Sequence, residues 1–130
     1  MTHIEPLSLQ TNAQMIAAHA SLVQDFNPLH LDADFAAATA FGAPIVHGSL
    51  MLNLLTEAIE RSYPQLIVKS RIAVRFAAPV LVGDTITAGG ASVEGRNGAF
   101  DVWVTRSDGT KVVTGTLTPV QAERRRKGTR

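Results

Sequence analysis

An α+β domain in which an antiparallel sheet wraps one mostly buried helix is the fold class that this sequence predicts, on three observations. Between Ile45 and Ile59, the apolar residues Ile45, Val46, Leu50, Met51, Leu52, Leu54, Leu55, Ala58 and Ile59 cover more than one face of a helix, so other elements must enclose it. From Leu66 the apolar period falls to two, the spacing of a strand with one buried face. Asn97-Gly98 and Ser107-Asp108-Gly109-Thr110 then divide the remaining chain into hairpins, because Asn and Gly tolerate the positive φ of tight turns.

In chain order, Thr11-Asn12-Ala13-Gln14 fits a capping box, and Met15, Ile16, His19, Leu22 and Val23 follow at helical spacing, so an amphipathic helix is predicted over residues 12–24. Pro28 has no amide hydrogen and pushes Asn27 toward extended backbone, so the segment Asp25 to His30 is predicted to be bent and non-helical. Asp32 is placed to cap a short alanine-rich helix through Phe35 to Ala40, which Phe41-Gly42-Ala43-Pro44 ends. The long buried helix comes next. In the strand that follows, Leu66, Val68, Ser70, Ile72, Val74 and Phe76 alternate with Ile67, Lys69, Arg71, Ala73, Arg75 and Ala77. Ala78-Pro79-Val80 and Gly83-Asp84 interrupt it, and Thr85 to Val93, Phe100 to Thr105 and Val112 to Leu117 supply three more strands. A locally connected antiparallel sheet around a buried helix is the hot-dog arrangement.

The bulk properties remove several function classes. At 130 residues the chain fits one domain, assigned to residues 1–120, with a basic tail over residues 121–130 that has little to bury and is expected to be mobile. The formal net charge is +1, part of it in Arg124-Arg125-Arg126-Lys127, so nucleic acid is not expected as a partner. The absence of cysteine excludes disulfide frameworks, thiol nucleophiles and thiolate metal sites, and fits a cytoplasmic protein. Met1 to Pro6 has neither the basic region nor the apolar core of a signal peptide. The apolar stretch Ala43 to Ile59 is broken by His47, Ser49, Asn53, Thr56 and Glu57, so no membrane span is expected.

Asp25-Phe26-Asn27-Pro28-Leu29-His30 carries the most chemistry. It holds a carboxylate and an imidazole five positions apart around a bend, where both can reach one water molecule and act as acid and base near neutral pH. Asn27 is read as a side-chain brace for that bend. Gly48, near the start of the buried helix, can present a bare backbone N–H at the positive end of the helix dipole, where a developing oxyanion would be stabilised. His30-Leu31-Asp32-Ala33-Asp34 could be mistaken for metal ligands, but no matching pair recurs elsewhere in the chain, so no metal is expected.

Three motifs stand in order: Asp25-Phe26-Asn27-Pro28-Leu29-His30-Leu31-Asp32; Phe41-Gly42 with Ile45-Val46-His47-Gly48; and Phe76 with Pro79-Val80 and Gly83-Asp84. Together they resemble the MaoC-like (R)-specific enoyl-CoA hydratases over residues 20–90. The resemblance implies a hot-dog homodimer or dimer-based oligomer and a substrate that is an acyl thioester of coenzyme A or of acyl carrier protein. It also implies reversible addition of water to a trans-2-enoyl thioester, giving the (R)-3-hydroxyacyl thioester, with no cofactor beyond the coenzyme A of the substrate. Asp25 and His30 match the catalytic pair, and Gly48 the donor to the thioester oxygen. His47, Ser49, Asn27 and Thr56 are candidates for the substrate surroundings. Thr56 is about two helical turns beyond Gly48, where it either assists the site or bonds its own helix backbone. Lys69, Arg71 and Arg75, on one predicted strand face, are candidates for the coenzyme A phosphates or form a solvated surface. Two residues depart from the pattern: Gln24 precedes the aspartate where glycine is common, and Ser49 follows His47-Gly48 where methionine is common. The competing readings are a hot-dog thioesterase using Asp25 and a non-catalytic acyl-thioester-binding subunit.

Overall fold

The computed structural model describes residues 2–120, so the basic tail assigned to residues 121–130 lies outside the described residues. In chain order the elements are β1 (His3–Gln10), α1 (Ala13–Val23), α2 (Pro28–Leu31), α3 (Ala33–Ala37), α4 (Gly48–Ser62), a 3-10 turn (Ile67–Lys69), β2 (Ser70–Phe76), β3 (Thr85–Ser92), β4 (Phe100–Arg106) and β5 (Lys111–Pro119). The strands form one antiparallel sheet in the order β1-β3-β4-β5-β2.

The meander β3-β4-β5 follows from the two turn signals, with Gly98 at φ 79° and Gly109 at φ 88°. Local connection stops there. β2 pairs with β5 from Ser70↔Pro119 to Phe76↔Val113, on the edge opposite β1, so the sheet is not connected throughout as expected. The β2–β5 seam is close enough that a Cβ on Gly115 would collide with the Ala73 carbonyl. β1 has no counterpart in the sequence reading. Pro6 and Glu5 break its alternation, and a register irregularity between Ile4 and Leu7 takes up the proline on an edge strand.

Three further differences are local. Asn12, not Thr11, caps α1, its Oδ1 accepting from the Met15 N–H at 2.8 Å. Thr11 is buried instead, donating through Oγ1 to the Asp84 carbonyl and accepting from the Gly83 N–H. Residues 67–69 turn rather than extend, because the chain must pass from the end of α4 to the sheet edge, and Val68 is 74% exposed there. The segment around Pro28 is helical for one turn. Proline occupies the first helical position, where its missing N–H is not needed and its φ suits the helix.

The core lies between α4 and the sheet. Met51, Leu54, Leu55, Ala58 and Ile59 pack with Ile4, Ile86, Val102, Val104, Val113 and Leu117, and each of these except Ala58 is worth about 1.5–3 kcal/mol when fully buried. This is one face of α4 rather than all of it. Leu50 and Leu52 are half-buried, and Ser49, Asn53, Glu57 and Glu60 are exposed, so the chain's own sheet encloses the helix on one side only.

Candidate active site

The site is assembled where α1, α2 and the start of α4 meet. α1 ends at Gln24, which adopts the left-handed conformation at φ 58°, ψ 41°. Glycine takes that conformation without penalty, so Gln24 keeps the loop geometry at a steric cost instead of altering it. Its Nε2 donates to the Ser21 carbonyl at 2.7 Å. Asp25 follows, half-buried, with Oδ1 accepting from the Asn27 N–H at 3.2 Å. Asn27 caps α2 through Oδ1, which accepts from the Leu29 N–H at 3.0 Å; its side chain serves the bend, as read from the sequence.

The hydrogen bond that orients the His30 ring runs to main chain. Its Nδ1 lies 2.7 Å from the Ile45 carbonyl, which can only accept, so Nδ1 carries the hydrogen and Nε2 keeps a free lone pair in the neutral ring. That Nε2 is 3.9 Å from Asp25 Oδ2. The separation is too long for a direct hydrogen bond and suits two acceptors sharing one water. The Ile45 strip is itself fixed to α2, where Ile45 N–H donates to Leu29, and to the connector before β3, where Val46 N–H donates to Val80 at 2.8 Å and Val82 N–H to Pro44 at 2.9 Å.

Beneath the pair lies His47, 1% exposed, with its ring stacked on that of His30 at 3.9 Å and 24°. Its Nε2 donates to the main-chain carbonyl of Asp25 at 3.1 Å. His19 meets His47 edge-on at 4.9 Å and bonds Ser49 Oγ through Nε2 at 2.8 Å, tying α1 to the first turn of α4. Burial holds the His19 pKa below its ordinary 6.5, with the neighbouring His47 acting in the same direction and Asp25 opposing it.

A groove of about 410 Å³ opens in front of His30. Phe41, Ile45, Val46, Met51, Phe76 and Pro79 make its wall mostly apolar, and Gly48 contributes to it. Gly48 is the first residue of α4, so its N–H has no intrahelical partner and stands at the positive end of the dipole. A Cβ at this position would lie 3.0 Å from the Phe76 ring, so the glycine also allows close packing of the sheet edge on the helix.

The structure thus brings Asp25, His30, His47, Gly48 and Ser49 together, but only His30 and Gly48 of these line the groove wall. Thr56 does not: its Oγ1 donates to the Asn53 carbonyl of its own helix at 3.0 Å. Lys69, Arg71 and Arg75 do not share a strand face. Lys69 belongs to the 3-10 turn, whereas Arg71 and Arg75 lie exposed on the outer face of the edge strand β2. Asp25, His30 and His47 each bring one potential metal-ligand atom to within 4.8 Å of the others. Since His47 already uses Nε2 and buries Nδ1, only Asp25 and His30 offer free atoms here. Sequence reading missed His19 as part of the site. A histidine on the apolar face of α1, less than two turns before the Asp25 motif, was the available signal.

A five-stranded antiparallel sheet against one long helix, with a carboxylate–imidazole pair beside that helix's first residue, defines a protein of the hot-dog class. The chain belongs to the MaoC-like family: the model of the MaoC like domain matches residues 2–114. It is 45% identical over 86 residues to the (R)-specific enoyl-CoA hydratase of Aeromonas caviae, a match covering 63% of this chain and 62% of that protein. It is 32% identical over 75 residues to a mitochondrial 3-hydroxyacyl-[acyl-carrier-protein] dehydratase of Arabidopsis thaliana, spanning 45% of its length. The chain spans less than two thirds of the length of the curated relatives it matches. Among solved structures, the (R)-hydratase from A. caviae superposes with a TM-score of 0.74 at 36% identity, covering 86% of this chain and 89% of that one. No helix among the described residues is long and apolar enough to cross a membrane.

Proposed function

We propose that this protein catalyses the reversible hydration of trans-2-enoyl-CoA to (R)-3-hydroxyacyl-CoA. The observation that carries the reading is the 3.9 Å gap between Asp25 Oδ2 and His30 Nε2, beside an apolar groove that also contains Gly48. Both atoms accept hydrogen bonds, so a water between them presents its oxygen lone pair outward. As that oxygen bonds to the β-carbon, one of the pair removes a proton, and the α-carbon gains a proton from the same site. The negative charge moves to the thioester oxygen, where the Gly48 N–H and the α4 dipole meet it. Phe41, Phe76 and Met51 exclude water from the acyl chain.

The enzyme is taken to be a cytoplasmic homodimer requiring no cofactor beyond the coenzyme A of its substrate. Dimerisation is supported by the one-sided enclosure of α4 and by the exposure of Phe76, 52%, on the edge strand. The identity with the A. caviae hydratase supports coenzyme A as carrier, and the plant relative makes acyl carrier protein the other carrier to test. Purified protein incubated with crotonyl-CoA should deplete the enoyl absorbance without releasing thiol. Thiol release with the double bond intact would instead indicate a thioesterase, and no change in either signal a binding subunit.

A further inference from the structure

We infer that His47 is a positioning residue that sets the separation of Asp25 and His30, holding the main chain of one and the ring of the other. This rests on the hydratase reading of the pair and extends it to a residue that does not line the groove. Three observations carry it. The His47 Nε2–H donates to the Asp25 carbonyl at 3.1 Å, and the same ring stacks on His30 at 3.9 Å. A single rigid ring touching both partners transmits any tilt of its own to the gap between them.

The third observation is what the arrangement forgoes. A carbonyl can only accept, so the neutral His47 ring carries its hydrogen on Nε2 and leaves Nδ1 bare. Nδ1 is buried with no hydrogen-bond partner among the described residues. A residue kept only for packing would do better without that atom, since a buried polar group without a partner destabilises the fold. The groups facing the ring are Asp25, His30 and His19, and His19 is itself anchored by Ser49. The ring is therefore fixed on its edge as well as on its face.

Two substitutions separate the contacts. His47→Phe keeps a flat ring on His30 and removes the donor to Asp25; His47→Gln keeps an N–H donor without the ring. Misplacing a catalytic group by about 1 Å can cost on the order of a hundredfold, so His47→Phe is expected to lower kcat by about tenfold or more. KM should stay within about threefold and the melting temperature should change little, because losing the unpartnered nitrogen offsets losing the donor to the Asp25 carbonyl. His47→Gln should recover part of the lost kcat at the same KM. Wild-type kcat in His47→Gln, or a loss in His47→Phe that vanishes once the folded fraction is counted, overturns the proposal. Should His47→Phe fail to fold, His47→Gln decides alone: reduced kcat at unchanged KM supports positioning. Asp25→Asn assayed alongside keeps the two readings apart. If it is inactive while the His47 variants are fully active, only the positioning role falls; if it is active, the hydratase reading falls and this inference with it.

Discussion

The core behind α4 and the shell around its first residue lie side by side, yet they are built from opposite materials, and only His19 and His47 of the shell are buried. Behind the helix, Leu55, Ile59, Ile86, Val104 and Leu117 have essentially no exposure and no polar atoms to satisfy. At its N-terminus three imidazoles, a serine and a carboxylate crowd together, and most of their bonds run to main-chain carbonyls or N–H groups. The core is specified by area and volume, the shell by hydrogen-bond direction. A core residue should therefore be measurable through stability alone, and a shell residue through turnover.

The sharpest way to break that division is to strike the pair. Asp25→Asn and His30→Ala are each expected to lower kcat by about a hundredfold to ten-thousandfold, equivalent to roughly 3–5 kcal/mol, with unchanged melting temperature and oligomeric state. Steady-state kinetics beside thermal melting checks this, and a matching loss of stability would erase the distinction. The converse is Leu55→Ala, which should cost about 2–5 kcal/mol in denaturant unfolding while turnover per folded molecule stays at the wild-type level. Gly48→Ala tests the boundary between the two regions. The added methyl meets the Phe76 ring at 3.0 Å, so this ring of the groove wall must shift, and kcat/KM should fall by about tenfold, readable with crotonyl-CoA and a longer enoyl thioester.

Two smaller effects sharpen the comparison. Gln24→Gly should raise stability by about 0.5–1 kcal/mol, because glycine relieves the left-handed strain, and should leave kcat unaltered. The smallest effect concerns pH. His19 has its folded-state pKa lowered from 6.5, chiefly by burial, so between the lowered value and 6.5 the unfolded chain binds more protons than the folded one. Stability from this group is complete above pH 6.5 and is lost as the pH falls below it. Melting curves recorded on acidification should show the decline, and His19→Gln should flatten it.

The parts legible in the sequence were those whose cause is local. The α4 pattern, the two hairpin turns and the Asp25 to His30 motif are each determined within a dozen or so residues. What escaped depended on distant partners. β1 is a strand because β3 pairs with it, despite Pro6. Thr11 leaves the cap of α1 because Gly83 and Asp84 claim its hydroxyl. Residues 67–69 alternate like a strand, yet the route from α4 to the sheet edge requires a turn. In the site, Asp25, His30 and Gly48 stand out by residue type, but the stacking of His47 on His30 and the support from His19 are products of packing of α2 and α1 against the start of α4. Lys69, Arg71 and Arg75 show the reverse failure: a tidy alternation that assigned one face to residues in two different elements.

Ile45 bonds Leu29 and His30 through its own N–H and carbonyl, while its side chain contributes to the groove wall. One position thereby serves two masters through separate atoms. Exchanging its side chain for a smaller or larger one can reshape acyl preference without removing the acceptor that orients the imidazole. Substrate range can drift in evolution at this residue while the proton chemistry stays fixed, and a designer seeking altered chain-length selectivity would begin at Ile45.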